Sequence, residues 1–559
     1  MTWRDWLRRE QLTLLVLAAL LLLAFGVRTL PFLDGIFVDG KVVFCDTDPY
    51  YHMRRAEHLL TYNFQLIEFD YYLNYPQGGV SFWPPGFDML LAGFIKLFAG
   101  GATDRATIEP IAAWLPPLLG SLIVLPVWAM ARRLFGTAAG LLAAAIVAFM
   151  PGHIVYSQLG KVDQHVAEAL TGMLLYAWFF RLLGTMQPER RRWLLPVAGG
   201  IFVWLAYIMW SGATLYLVPL FAAMGLLLLL SPDGYYRVYL REATLFLLAA
   251  LTLMLYPCLT SWWGRQWLFA HDALSLLQLV FLGGVGLYFG GAWLLVGWQA
   301  QAGQGDAGSW QSRLKILAGY SLVFLLLVGG LVALAPDTAR ALQEGMRLLL
   351  KKGDASYHIW LTTISEYTPL WRTENGSVVW AAIVGNLTRW FWLVPPMLLL
   401  LMVRVWRGPA ADRLPAATVL VLTVFLGLLN MQQSRYSYVF GGMVAVCAAG
   451  LLAWFWRWLQ AHPDLVRIQW PPRAQRAGAY VKSCLPFVRG LRPAPALLLV
   501  LLTAGWLAHE CRLVTESMFF AGGRPLLSPA DYQMLEWLRN NTPAPGSFSR
   551  PQEKPVYDI

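Results

Sequence analysis

Residues 11–26 read QLTLLVLAALLLLAFG, a run without a single charge that follows Arg4, Arg8 and Arg9. Carried on to about residue 31, it reaches the roughly 20 residues an α-helix needs to cross a hydrocarbon core about 30 Å thick. Basic residues ahead of an apolar stretch also mark a secretory leader, but no small-residue cleavage site follows here. The run is therefore expected to stay in place as a first membrane span.

Working outward, comparable apolar runs occur at about 108–131, 137–156, 165–183, 193–210, 212–231, 242–261, 272–298, 314–335, 378–402, 414–430, 436–456 and 494–510. With the first run they predict an all-α polytopic membrane protein of about thirteen spans. Composition agrees: 58% of the 559 residues are hydrophobic and 13% charged, with a mean hydropathy of +0.52, far too apolar for a soluble globular chain.

Lys and Arg number 43 against 32 Asp and Glu, a net charge of +11. The excess lies in short connections beside the apolar runs, so it reports topology, and no nucleic-acid partner is expected. With the N-terminus cytoplasmic, Arg132 and Arg133, Arg190 to Arg192, Arg237 and Arg241, Arg313 and Lys315, and Arg404 to Arg413 all fall on the cytoplasmic side. The long connections 32–107 and 336–377, and everything after about residue 510, then lie outside. Residues 1–510 read as one membrane domain and 511–559 as the opening of an external α segment. The five cysteines, Cys45, Cys258, Cys447, Cys484 and Cys511, form no CxxC pair and no metal-ligand spacing.

Four polar segments fall on that outer face. The first is Asp48-Pro49-Tyr50-Tyr51-His52-Met53-Arg54, where Asp48 can also be read as the cap of a helix beginning at Pro49. The second is Gly160-Lys161-Val162-Asp163-Gln164-His165; residues two apart diverge on a helix, so Asp163 and His165 meet only if the chain turns there, with Asp163 as the cap. The third is Thr363-Ile364-Ser365-Glu366, whose acid a solvated loop would equally explain. The fourth is Gln433-Ser434-Arg435-Tyr436, whose arginine can instead snorkel to headgroups. Carboxylates with one imidazole beside an arginine suit a divalent cation, Mn2+ or Mg2+ rather than zinc, facing an anionic lipid headgroup.

Together these segments resemble the oligosaccharyltransferase catalytic-subunit family, membrane glycosyltransferases of the GT-C type with thirteen spans. The resemblance covers roughly residues 10–510. Asp48 in D-P-Y-Y-H resembles the first-loop acidic motif, whose aspartate binds metal and the acceptor amide. Asp163 and His165 resemble the second, metal-binding motif in its D-x-H form. Glu366 in T-I-S-E resembles the glutamate that holds the acceptor asparagine, and Arg435 the arginine that contacts the lipid diphosphate. Trp83-Pro84-Pro85-Gly86 also fits the first loop.

The resemblance implies metal-dependent transfer of an oligosaccharide from a polyprenyl-(di)phosphate carrier to asparagine. Its implied partners are a lipid-linked donor, an Asn-containing acceptor polypeptide and membrane lipid, without an obligate partner subunit. Its implied place is the cell (inner) membrane, with the active site and C-terminus external. The loop 336–377, with Gly345 and Gly353 as pivots, would act as a lid. Family members carry an external domain with a W-W-D-Y-G motif; residues 528–543 resemble its opening helix, but no such motif occurs in this sequence. Three readings compete: another GT-C transferase acting on a non-asparagine acceptor, a binder of lipid-linked glycan without transfer, and a glycan transporter.

Overall fold

The computed structural model describes residues 3–74, 77–183, 194–230, 236–301, 310–334, 379–462, 493–522 and 529–542, with isolated positions between 337 and 370. Of the expected site residues, Glu366 lies outside the described residues, as do Gly353 and nearly all of the expected lid.

Helix α1 (Trp3–Thr29) leads through a 3-10 turn at Pro31 into α2 (Leu33–Ile36). A two-residue hairpin follows, β1 (Phe37–Val38) against β2 (Lys41–Val42), turning on Asp39 and Gly40 at φ 49° and 75°. Positive φ at both positions is what a two-residue hairpin turn requires. The chain then builds α3 (Asp48–Thr61), the ribbon β3 (Phe69–Asp70) with β4 (Gly79–Val80), and α4 (Gly86–Ala99). Phe44, Met53, Ala56, Leu59, Phe87, Leu91 and Ile95 of this connection pack into one apolar cluster with Val27, Ile108, Val166 and Val514 of the neighbouring helices. The long connection after the first span is thus a folded unit, which its alternating polar and apolar sequence conceals.

The run at 108–131 lies within a single candidate span, Arg105–Phe135, as expected, and that span is built of three helices end to end, α5 (Arg105–Ala112), α6 (Leu115–Leu122) and α7 (Val124–Phe135). Pro110 lies inside α5, while Pro116, Pro117 and Pro126 fall in the first turns of α6 and α7, where a missing N–H costs no intrahelical bond. The run at 137–156 is similarly broken before Pro151, into α8 (Thr137–Ala148) and α9 (Pro151–Ile154). The remaining helices are α10 (His165–Leu183), α11 (Leu194–Met209), α12 (Thr214–Leu230), α13 (Tyr236–Thr260), α14 (Trp262–Arg265), α15 (Leu276–Gln301) and α16 (Trp310–Leu334). They continue with α17 (Trp380–Leu387), α18 (Val394–Arg407), α19 (Ala410–Gln432), α20 (Ser437–Ala461), α21 (Pro493–Gly522) and α22 (Pro529–Asn541).

Every apolar run named above overlaps helix. By length and hydropathy, however, nine helices among the described residues are able to cross a membrane, so nine candidate spans are established and not thirteen.

α20 is the centre of the bundle. Its small residues Gly441, Gly442, Ala445, Ala448, Ala449 and Gly450 are buried, letting α7 and α8 approach closely, the packing that replaces hydrophobic drive inside a bilayer. Leu22, Leu287, Leu294 and Trp406 lie on the outside, Trp406 with 82% of its surface free. In water such residues would be a liability; against lipid they are the expected outer face.

Candidate active site

Asp48 and His52 stand four apart on α3 and therefore share a face. Asp48 is the first helical residue rather than the cap; Thr47 precedes it, and no side chain caps this helix. The capping reading of Asp48 is thereby corrected, and its carboxylate needs another reason to be there.

Gly160 supplies the turn that brings in the second segment. Its φ of +76° is a left-handed conformation that disfavours any side chain, and a Cβ there would come 2.5 Å from Ile36 Cδ1. The chain then runs without helix to Asp163, and α10 begins at His165. Asp163 is not a cap either: it is buried, and neither carboxylate oxygen accepts a hydrogen bond.

Two imidazoles and a lysine surround that carboxylate instead. His52 Nε2 is 3.7 Å from Asp163 Oδ1, while His165 Nε2 and Lys161 Nζ are 3.6 and 3.9 Å from Oδ2. Lys161 also pairs with Asp46. Burial alone would raise the Asp163 carboxyl; the charges of His165, His52 and Lys161 outweigh it and hold the group well below the usual carboxylate range. Asp48 moves the other way: its burial, then the nearby Asp163 and Asp46, raise it.

Each histidine is steered by a second carboxylate. His52 Nδ1 is 2.7 Å from Asp88 Oδ1, and Asp88 Oδ2 in turn lies 2.8 Å from Arg55 Nη1. The His52 ring stacks on Trp83 with centroids 4.4 Å apart. On α10, His165 Nδ1 is 3.0 Å from Glu168 Oε2, one turn further along the same helix. Glu168 also accepts from Tyr216 at 2.6 Å and from Tyr438.

Glu168 extends to the fourth segment, since Arg435 Nη2 lies 3.8 Å from its Oε2. The Arg435 guanidinium donates to the Tyr367 hydroxyl at 3.2 Å and sits 5.4 Å from the Trp210 ring centroid. The residue is buried, so it does not snorkel to headgroups. Asp48, Asp163, His165 and Arg435 are therefore brought together.

His52, Asp88, Lys161 and Glu168 were missed by sequence reasoning. The signals were present: His52 at i+4 from Asp48, Glu168 at i+3 from His165, and Asp88 two residues after Gly86 in the W-P-P-G stretch.

Unpartnered buried oxygens on Asp163, and the mutual repulsion of Asp48 and Asp163, are what a cation-binding site shows without its ion. Among the described residues no group of three or more His, Cys, Asp or Glu side chains stands close enough together to hold an ion. The donor set fits a divalent cation in kind, and its side chains would have to close further around one.

With this geometry in view, residues 12–289 match the family model "Oligosaccharyl transferase STT3, N-terminal". The chain belongs to the STT3 oligosaccharyltransferase family. Dolichyl-phosphooligosaccharide-protein glycotransferase 3 of Archaeoglobus fulgidus is 25% identical over 562 residues, which covers 96% of this chain and 59% of that relative. Among solved structures, the archaeal oligosaccharyltransferase AglB of Archaeoglobus fulgidus, in complex with an inhibitory peptide and a dolichol-phosphate, superposes with a TM-score of 0.80 at 20% identity. The match covers 99% of this chain and 62% of AglB. An Archaeoglobus fulgidus oligosaccharyltransferase in complex with Zn and sulfate superposes at 0.68 and 18% identity, over 97% of this chain and 59% of that one. This STT3 family chain thus spans about three-fifths of the length of these relatives, and it shares their GT-C membrane fold.

Proposed function

We propose that this STT3 family chain transfers an oligosaccharide from a polyprenyl-(di)phosphate lipid to asparagine of an acceptor polypeptide, in a reaction that depends on Mn2+ or Mg2+. The observation that carries the reading is Glu168, whose carboxylate contacts both His165 of the D-x-H segment and Arg435. A cation-side residue and a buried arginine suited to a lipid diphosphate thereby share one support. The peptide and dolichol-phosphate held by AglB support the donor and acceptor, and the Zn held by the second structure supports a divalent cation.

In this reading the acceptor amide is the difficult partner, because its nitrogen lone pair is delocalised into the carbonyl. Asp48 and Glu366 each accept one amide N–H, weakening that conjugation and fixing the nitrogen against the sugar. Asp48, Asp163 and His165 would hold the cation, which would supply Lewis-acid charge to offset the clustered carboxylates. Arg435 balances the diphosphate as it leaves, with its guanidinium pre-set against Tyr367 and Trp210. Tyr367 follows Glu366 directly in the chain and touches Arg435, which supports placing the T-I-S-E segment at the same site.

The same reading puts the N-terminus in the cytoplasm and the site and C-terminus on the outer face of the cell membrane, in thirteen spans. Residues 1–510 form the catalytic domain, 336–377 its lid, and 511–559 an external segment. Lipid-linked donor, Asn-containing polypeptide and membrane lipid are the partners, with no obligate partner subunit. The test incubates the purified chain with native lipid-linked donor and an Asn-x-Thr peptide, in Mn2+ and then in chelator. A mass gain of one glycan that chelator abolishes supports the reading; gain undiminished by chelator removes the cation from it.

A further inference from the structure

His52 is one of the most enclosed polar groups in the molecule, with 1% of its surface exposed. Its Nδ1 is committed to Asp88, a carboxylate that also pairs with Arg55. The opposite nitrogen, Nε2, has no hydrogen-bond partner and faces Asp163 Oδ1, an oxygen that likewise has none. Trp83 on one ring face and the edge contact of Phe87 fix the imidazole plane. A buried imidazole held at one nitrogen by a carboxylate and bare at the other is the arrangement by which proteins orient a metal-ligating histidine.

His165 repeats the pattern from the other side, with Glu168 on Nδ1 and Nε2 directed at Asp163 Oδ2. Two ligands bound to one ion at about 2.1 Å each stand at most about 4 Å apart. The separations of 3.7 and 3.6 Å between these nitrogens and the Asp163 oxygens fall inside that limit.

We propose that His52 is a further nitrogen ligand of the divalent cation, opposite His165 across Asp163, an inference that rests on the cation reading above. Asp88 and Arg55 are its positioning residues. Two imidazoles in place of one move the site away from Mg2+, which prefers oxygen, and towards Mn2+ and the later divalent ions.

The test is pulsed electron paramagnetic resonance of the full chain loaded with Mn2+, with histidine-selective 15N labelling so that coordinated imidazoles are counted directly. The wild-type chain should show two coupled histidine nitrogens, and His52→Gln and His165→Gln one each. Asp88→Asn should keep both couplings while weakening Mn2+ binding by about 10- to 100-fold. Mn2+ bound with a nitrogen count that His52→Gln leaves unchanged overturns the assignment of His52 and spares the cation. No specific Mn2+ signal in the wild-type chain overturns the cation reading and this inference with it. If His52→Gln does not fold, the wild-type count decides: two supports the proposal, one or none contradicts it.

Discussion

The site has two halves, each an imidazole backed by a carboxylate, and they are built differently. On the loop side, Asp88 serves His52 and Arg55 alone, within a small folded unit of α3 and α4. On the bundle side, Glu168 serves His165, Tyr216, Tyr438 and Arg435, drawing on α10, α12, α20 and the turn before α20. The loop carboxylate is dedicated, whereas the bundle carboxylate is shared. On the proposed reading, a dedicated support would tune one ligand, and a shared one would couple cation and lipid diphosphate.

Breaking what both halves address should cost most. Asp163→Ala removes the carboxylate between the two imidazoles, and transfer should fall by a factor of about 100 to 1000 or more, with metal dependence lost. Transfer that still responds to chelator in this variant would remove Asp163 from the cation set. Glu168→Gln comes next: Mn2+ affinity should drop about 10- to 100-fold, and the KM for lipid-linked donor should rise in the same variant. A change in only one of the two would break the comparison, because sharing is what distinguishes this half.

Arg435→Lys keeps the charge but loses the planar fork, so donor KM should rise while Mn2+ affinity measured by calorimetry stays near wild type. The smallest effect is on the metal-free protein. Burial lowers His52, but Asp88 and Asp163 outweigh it and hold the imidazole up to about 9, above its ordinary 6.5. A folded-state value raised in this way contributes stability that is fully present below about 6.5 and lost as pH rises through about 9. The melting temperature in chelator should accordingly fall across that window, and His52→Gln should flatten the fall.

The spans were legible because lipid exposure writes itself as long uncharged runs, and Leu22 or Leu287 need no tertiary context to be read. The breaks at Pro116, Pro117 and Pro151 were not read, because the runs around them are apolar enough to hide them. Asp48, Asp163, His165 and Arg435 were found through short motifs, and their convergence is what the geometry adds. Neither Asp88 nor Glu168 announced itself, because an acid becomes informative only when the imidazole it touches is known. Capping was the natural reading of Asp48 and Asp163 from local sequence. It failed because both carboxylates face a tertiary neighbour that local sequence does not contain.

The most direct test of the account is acceptor choice. The purified chain is given lipid-linked donor and Mn2+ with an Asn-x-Thr peptide and, separately, its Gln-x-Thr counterpart, and the peptides are weighed and fragmented. The account predicts one glycan on the asparagine side chain and none on the glutamine peptide. Glycan on a hydroxyl, on both peptides alike, or on neither while donor binding is demonstrated would contradict it.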